Sequence, residues 1–204
     1  MRISEASFVI EDELDGKQLL KNLERYGRTC YKSEAKITTD SACQFIAKLI
    51  QLGHESVLEH EKISVRVICD RGISHEIVRH RLGSYSQEST RYCNYKKRGL
   101  EFIKPPFFAK DQEKLRIWLS AMQTCEEAYN ALIEAGATPE EARVVLPHSL
   151  KTEIVITYNL REWRHFFKLR CSKQAHPQMR ELACALLKEF QKQLPVIFDD
   201  IQPF

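Results

Sequence analysis

Apolar residues recur with helical spacing at Leu19, Leu20, Leu23 and Tyr26 before Gly27, and at Phe45, Ile46, Leu49 and Ile50 before Gly53. Recurrence every three and four residues marks one buried helical face, and each glycine stands where a left-handed C-terminal cap is expected to stop the helix. The longest such stripe, Leu115, Trp118, Leu119, Met122, Tyr129, Leu132 and Ile133, predicts a helix from about Asp111 to Gly136. Thr138, Pro139 and Glu141 then form an N-cap, a first-turn proline and a capping-box carboxylate, predicting a short helix toward Pro147 with Arg143 inside it. A last helix carries Met179, Leu182, Leu186, Leu187 and Phe190.

Strand signals are fewer. Ile63, Val65 and Val67 alternate with Ser64 and Arg66, and Ile154, Val155 and Ile156 form a β-branched run before Tyr158. Asn159, with Glu162 three residues on, predicts a capped helix reaching about Arg170. Between Ile73 and Leu82 a short helix is expected to lead into a loop at Gly83. Strands near the start and in the middle, long helices between them and no regular βαβ alternation predict an α+β class with more helix than strand.

Composition narrows the reading further. The chain has 204 residues, 43% of them hydrophobic and 29% charged, which suits one domain spanning 1–204. Glu11, Asp12, Glu13 and Asp15 interrupt the first thirty residues, and no run is long enough for a membrane span, so a cytoplasmic protein is expected. The seven cysteines are scattered without a CxxC pair, and most are expected to be small buried hydrophobes. The seven glycines make neither GxGxxG nor a P-loop, which argues against a Rossmann cofactor domain.

The formal charge of +3 is unevenly placed. Residues 79 to 98 hold Arg79, Arg81, Arg91, Lys96, Lys97 and Arg98 against Glu88 alone, so an anionic ligand is expected there. On a continuing helix Arg79 and Arg81 would project about 200° apart and serve two different ligands. The hydroxyl and amide donors Ser84, Ser86, Gln87, Ser89 and Thr90, closed by Arg91, suit a phosphate monoester, and Tyr85 and Tyr92 could flank a flat ring.

His75 and Glu76 with His80 imitate HExxH, but the second histidine is at i+5 and two arginines flank it, so no metal is expected. Ser89 has no Asp/His relay attached and reads as a binding residue. A competing reading takes 79–98 as a single-stranded nucleic-acid-binding module with Tyr85, Tyr92 and Tyr95 as stacking platforms.

The run RHRLGSYSQESTR, from Arg79 to Arg91, resembles the signature of flavin-dependent thymidylate synthases, which is RHR, seven residues and a serine, here Ser89. GHESVLEH at 53–60, EARVVLP at 141–147 and YNLREWRHFFKLR at 158–170 extend the resemblance over most of the chain. It implies long helices on a small, mainly antiparallel sheet, and a homotetramer with active sites built from neighbouring subunits. The implied reaction is reductive methylation of dUMP to dTMP, with 5,10-methylenetetrahydrofolate as carbon donor and FAD reduced by NADPH. Uracil C5 is a poor nucleophile, and it can be activated by a cysteine thiolate at C6 or by cationic donors that favour the N3-deprotonated ring. The family resembled uses the second route.

On that resemblance Arg170 is the catalytic residue, while Glu76, Arg79, Gln87, Glu88, Ser89, Thr90, Arg91 and Arg143 join it in binding dUMP. FAD is assigned Ser56, Arg79, His80, Arg81, Gln87, Asn159, Arg161 and His165, with His54 and Glu59 nearby. Four positions depart from the family pattern: Glu76 replaces a frequent glutamine, Gln87 a glutamate, His165 an asparagine, and Cys30 a serine.

Overall fold

A computed structural model describes residues 1–96 and 99–204; Lys97 and Arg98 of the basic segment lie outside the described residues. Six strands and eight α-helices follow one another as β1 (Arg2–Ser4), β2 (Ser7–Ile10), α1 (Gly16–Tyr31), α2 (Ser41–Gln51), β3 (Lys62–Asp70), α3 (Arg71–Ile77), β4 (Gly83–Gln87), β5 (Glu101–Ile103), α4 (Gln112–Glu134), α5 (Pro139–Ala142), β6 (Lys151–Asn159), α6 (Leu160–Arg170), α7 (Pro177–Gln193) and α8 (Pro195–Phe198) among the described residues. The expected α+β class holds, with a small four-stranded sheet in the order β2-β3-β6-β4 and a parallel pair β1-β5 in which Ile3 faces Phe102.

Local chemistry explains most boundaries. Asp111 caps α4 by accepting from the Lys114 N–H, and Gly136, at φ 96°, follows its end as expected. The Thr138 capping box is complete, although α5 gives way to a 3₁₀ turn at Arg143–Val145, so Arg143 stands at the junction and not inside an α-helix. Gly53 has the left-handed backbone expected of a terminator, at φ 72°. Gly27 does not: α1 runs through it to Tyr31, and a Cβ there would lie 2.7 Å from a Phe45 ring carbon. That glycine permits close approach of α1 to α2.

The chain divides into two compact units, each assembled from separate stretches: Met1–Val9, Arg66–Arg79 and Tyr85–Val155 in one; Ile10–Val65, His80–Ser84 and Ile156–Phe204 in the other. The first packs Tyr95, Leu100, Phe102, Trp118, Met122, Tyr129, Ala142 and Leu150 into a core on the predicted face of α4. Missing from that stripe was Glu126, buried and accepting from the Leu100 N–H at 3.2 Å.

The second unit is centred on Tyr158, Trp163, Phe166, Phe167, Phe190 and Phe198, a cluster of mostly edge-on and tilted rings in which Trp163 and Phe167 are stacked. Such aromatic pairs contribute about 0.5–1.5 kcal/mol each beyond their buried area. Trp163 also donates its indole N–H to the Ile63 carbonyl at 3.0 Å, tying α6 to β3. One side of α6 is thereby fixed, and the other presents Arg161, His165 and Lys168 to solvent.

The expectation that most cysteines would be buried is corrected: Cys69 and Cys171 are buried, Cys30 and Cys43 are exposed, and Cys93, Cys125 and Cys184 lie between. Among the described residues no helix is long and apolar enough to cross a membrane.

Candidate active site

The basic motif begins where a helix ends. Asp70 caps α3 by accepting from the Ile73 N–H at 2.7 Å, but the helix stops at Ile77 with Val78 as its C-cap. Arg79, His80 and Arg81 are therefore not on a helix, and the 200° separation expected from helical geometry has no basis. The expected loop from Gly83 is also a strand, β4, whose polar sequence GSYSQ lies at the end of the sheet order. Glycine is required at its start, because a Cβ at Gly83 would come within 2.2 Å of the buried Tyr158 ring.

In the first unit the expected phosphate ligands gather in pairs. Thr90 Oγ1 accepts from Arg143 at 3.4 Å, and Ser89 Oγ accepts from the Arg91 backbone N–H at 3.3 Å. The Arg91 guanidinium rests against Glu140, Nε to Oε1 at 2.9 Å. Both partners are about half exposed, at 48% and 52%, so this pair is worth about 1 kcal/mol or less and yields readily to a better anion. Gln87 and Glu88 turn elsewhere: the Gln87 amide donates to Ser74 at 2.8 Å and Thr152 at 3.2 Å, and the Glu88 carboxylate accepts from Tyr95 at 3.0 Å. Glu76 on α3 is half-buried, while Arg79 is exposed.

The stacking platforms imagined for a nucleic-acid partner are mostly spoken for. Tyr95 is buried, and Tyr85 donates its hydroxyl to the Ile77 carbonyl, leaving Tyr92 as the exposed ring of the three, with Arg91 over its face at 5.3 Å.

In the second unit two clefts share Glu55 and Arg161. One, of about 650 Å³, is lined by Glu59, Leu82, Asn159, Glu162, His165 and Lys168 besides the shared pair. The other, of about 260 Å³, brings together Cys30, His54 and Ser56. Seven of the residues expected around flavin thus meet in this unit: Ser56, His54, Glu59, Asn159, Arg161 and His165 on the cleft walls, and His80 against His165 at 5.6 Å between ring centroids. Arg81 is exposed in the same unit. Arg161 is held by Glu59 at 2.5 Å, again an exposed pair of small net worth.

His80 is buried across one face of α6. Its Nδ1 lies 3.0 Å from Glu162 Oε1, and its Nε2 accepts from Arg170 Nε at 3.0 Å. Because an arginine donor demands a lone pair at Nε2, the proton sits on Nδ1 and is donated to Glu162. Burial, assisted by the Arg170 charge and opposed by Glu162, lowers the His80 pKa below its ordinary 6.5, so the ring is neutral at physiological pH. Asn159 caps α6 as expected, accepting from the Glu162 N–H at 2.8 Å, but the Glu162 carboxylate turns to His80 and does not complete a capping box.

The ligand atoms of His80, Glu162 and His165 lie within 4.8 Å of one another. Both His80 nitrogens are already engaged, and a dication would sit against the Arg170 guanidinium, so this donor set favours a hydrogen-bonded chain over metal ligation.

The family profile described as thymidylate synthase complementing protein, Thy1, matches residues 15–196. The flavin-dependent thymidylate synthase of Geobacter sulfurreducens is 38% identical over 183 residues, covering 86% of this chain and 79% of that one. This chain belongs to the flavin-dependent thymidylate synthase family. The Pyrococcus furiosus member is 35% identical over 181 residues, 87% of this chain and 72% of its own. Among solved structures, a UMP/dUMP methylase, PolB from Streptomyces cacaoi bound with 5-Br dUMP, has the same fold, with a TM-score of 0.84 over 98% of this chain and 96% of that one at 23% identity.

Several residues on these cleft walls and in these ion pairs escaped sequence reasoning. Glu140 was legible only as part of a capped first turn, and Glu55 and Lys168 carried no local signal. Glu162 gave one: counted from it, His165, Phe166 and Arg170 stand at i+3, i+4 and i+8, near neighbours on one helical face.

Proposed function

We propose that this chain methylates dUMP reductively to dTMP, binding FAD as cofactor and using 5,10-methylenetetrahydrofolate and NADPH as co-substrates. We further propose a cytoplasmic homotetramer of single-domain chains, with active sites built from neighbouring subunits and no metal. The observation that carries the reading is Arg170 at the end of α6, hydrogen-bonded at Nε to the neutral His80 of the RHR stretch. A guanidinium held against uracil favours the N3-deprotonated ring, because hydrogen bonds to a charged partner are roughly twice as strong as neutral ones.

Neither buried cysteine suits the thiolate route. Burial pushes the thiols of Cys69 and Cys171 well above their ordinary pKa, leaving both protonated and poorly nucleophilic at neutral pH. Arg91, Arg143, Ser89 and Thr90 would hold the nucleotide phosphate, with Glu76, Arg79, Gln87 and Glu88 completing the dUMP set. The exposed pair Arg91 and Glu140 is weak enough to open for a phosphate dianion.

For FAD the two clefts offer donors of the right chemistry: Arg161 for phosphate, and Asn159, Ser56, His54 and His165 for hydrogen bonding, with Glu59 on the wall of the larger one; Arg79, His80, Arg81 and Gln87 complete the proposed FAD set. When bound, the flavin supplies the hydride that the added carbon requires.

The purified protein should be yellow and should form dTMP from dUMP only when folate and NADPH are both present, followed by product chromatography. Arg170→Ala should abolish dTMP formation while the flavin stays bound. A colourless, soluble protein that fails to complement a thymidine-requiring strain would overturn the proposal.

A further inference from the structure

The chain of contacts from Glu162 through His80 to Arg170 has a polarity. His80 lies over the face of α6 formed by Glu162, His165, Phe166 and Arg170, with its ring 5.0 Å from Phe166 and 6.1 Å from Tyr158 between centroids. Glu162 and Arg170 are eight residues apart, about 12 Å along the helix axis, too far to meet directly. The imidazole bridges that gap with a hydrogen bond at each end, 3.0 Å to either side.

A neutral histidine has one donor nitrogen and one acceptor nitrogen, and exchanging them would set an N–H against the Arg170 N–H. The carboxylate of Glu162, buried and able only to accept, removes that ambiguity. We propose that Glu162 is a positioning residue: it fixes His80 in the Nδ1–H tautomer and in one ring orientation, so that Nε2 holds Arg170 by its Nε–H and sets the plane of the guanidinium. This rests on the reading of Arg170 as the group that activates uracil.

A guanidinium must be coplanar with an ionised uracil edge to donate well, and displacement of a catalytic group by about 1 Å costs up to about 100-fold in rate. Loss of Glu162 should therefore act on turnover through Arg170, lowering the rate per bound flavin while leaving nucleotide binding little changed. A merely structural Glu162 would instead lower thermal stability and flavin content, leaving the rate per bound flavin intact.

The test uses the FAD-loaded protein with Glu162→Ala, or Glu162→Leu if alanine does not fold, beside Glu162→Gln. In the alanine or leucine variant kcat per bound flavin is expected to fall about 10- to 100-fold, with KM for dUMP within about threefold. Glutamine, whose carbonyl still accepts from Nδ1–H, should recover most of the rate. ¹⁵N-histidine and ¹⁵N-arginine spectra of the same proteins should show His80 as the Nδ1–H tautomer and a slowly exchanging Arg170 Nε–H, both lost with alanine or leucine and kept with glutamine. Unchanged spectra, or a wild-type kcat in the alanine variant, would overturn the proposal. The spectra need no turnover: a protein that shows both signatures yet makes no dTMP would refute the enzymatic reading and leave the relay standing.

Discussion

Arg164 offers the most quantitative test of how α6 is held. Its side chain is 2% exposed, and its guanidinium reaches Glu55 at 3.1 Å, both Asp200 oxygens at 2.6 Å and the Ile197 carbonyl. Replacing it by methionine keeps the apolar stem and removes every one of those donors. The Ile197 carbonyl then loses a charged donor, at a cost of about 1–3 kcal/mol. Glu55, 19% exposed, is left with the more distant Lys168 at 3.7 Å, whereas Asp200, 49% exposed, rehydrates for less than about 1 kcal/mol. The sum is about 3 kcal/mol, at the lower end of what breaking a buried ion pair costs.

With a urea m-value of about 2 kcal/mol/M, the midpoint should fall by about 1.5 M at fixed protein concentration. Acidity supplies an independent check. Hydrogen bonding to Arg164 holds the Asp200 carboxyl below its ordinary 3.8, so this part of the stability is present above that value and is lost as pH falls through the lowered pKa. The gap between wild type and Arg164→Met should therefore narrow in acid. A midpoint shift under about 0.5 M would refute the reasoning, because it would mean that burial of the guanidinium costs nearly what its partners return. Glu55 lines both clefts, so the same variant should also loosen flavin binding.

Three further outcomes follow. Gly83→Ala forces a methyl within 2.2 Å of the buried Tyr158 ring and should cost about 3 kcal/mol, a Tm fall of roughly 6–12 °C by calorimetry; an unchanged Tm would contradict the packing. Glu140→Gln should release Arg91 and lower the Kd for dUMP by no more than about fivefold in titration calorimetry, and a weaker Kd would show that Glu140 positions Arg91 instead of competing for it. Protonation of His80, which faces Glu162, His165 and Arg170 on α6 and Tyr158 on β6, places an N–H against Arg170 and breaks their bond. Its lowered pKa keeps the ring neutral above 6.5, so kcat should fall only on the acid side of that value, and a limb at or above it would count against the assignment.

Elements governed by neighbours in sequence were legible. The caps at Asp111, Thr138 and Asn159 and the alternation in β3 are local chemistry, and they appear where expected. Features governed by distant partners were not. Gly27 has the look of a terminator and is a contact point for Phe45; GSYSQ looks like a loop because strand β4 lies at the end of the sheet order beside β6 and alternates between half-buried and exposed positions. The candidate site divides the same way. Ser89, Thr90 and Arg91 announce an anion together because they are adjacent, whereas the link from His80 to Arg170 joins residues 90 positions apart. Glu162 sat in the right place for a capping box, and only the burial of His80 beside it redirects its carboxylate.

The cysteine distribution gives this molecule a built-in reporter. Cys30 is exposed on the wall of the smaller cleft beside His54 and Ser56, while the thiols of Cys69 and Cys171 are buried and protonated. A thiol-reactive dye should therefore discriminate by accessibility and acidity together, labelling Cys30 and Cys43 long before the core. With Cys43 replaced by serine, a fluorophore on Cys30 would sit at the rim of the proposed cofactor site, and its quenching would time the arrival and departure of a flavin.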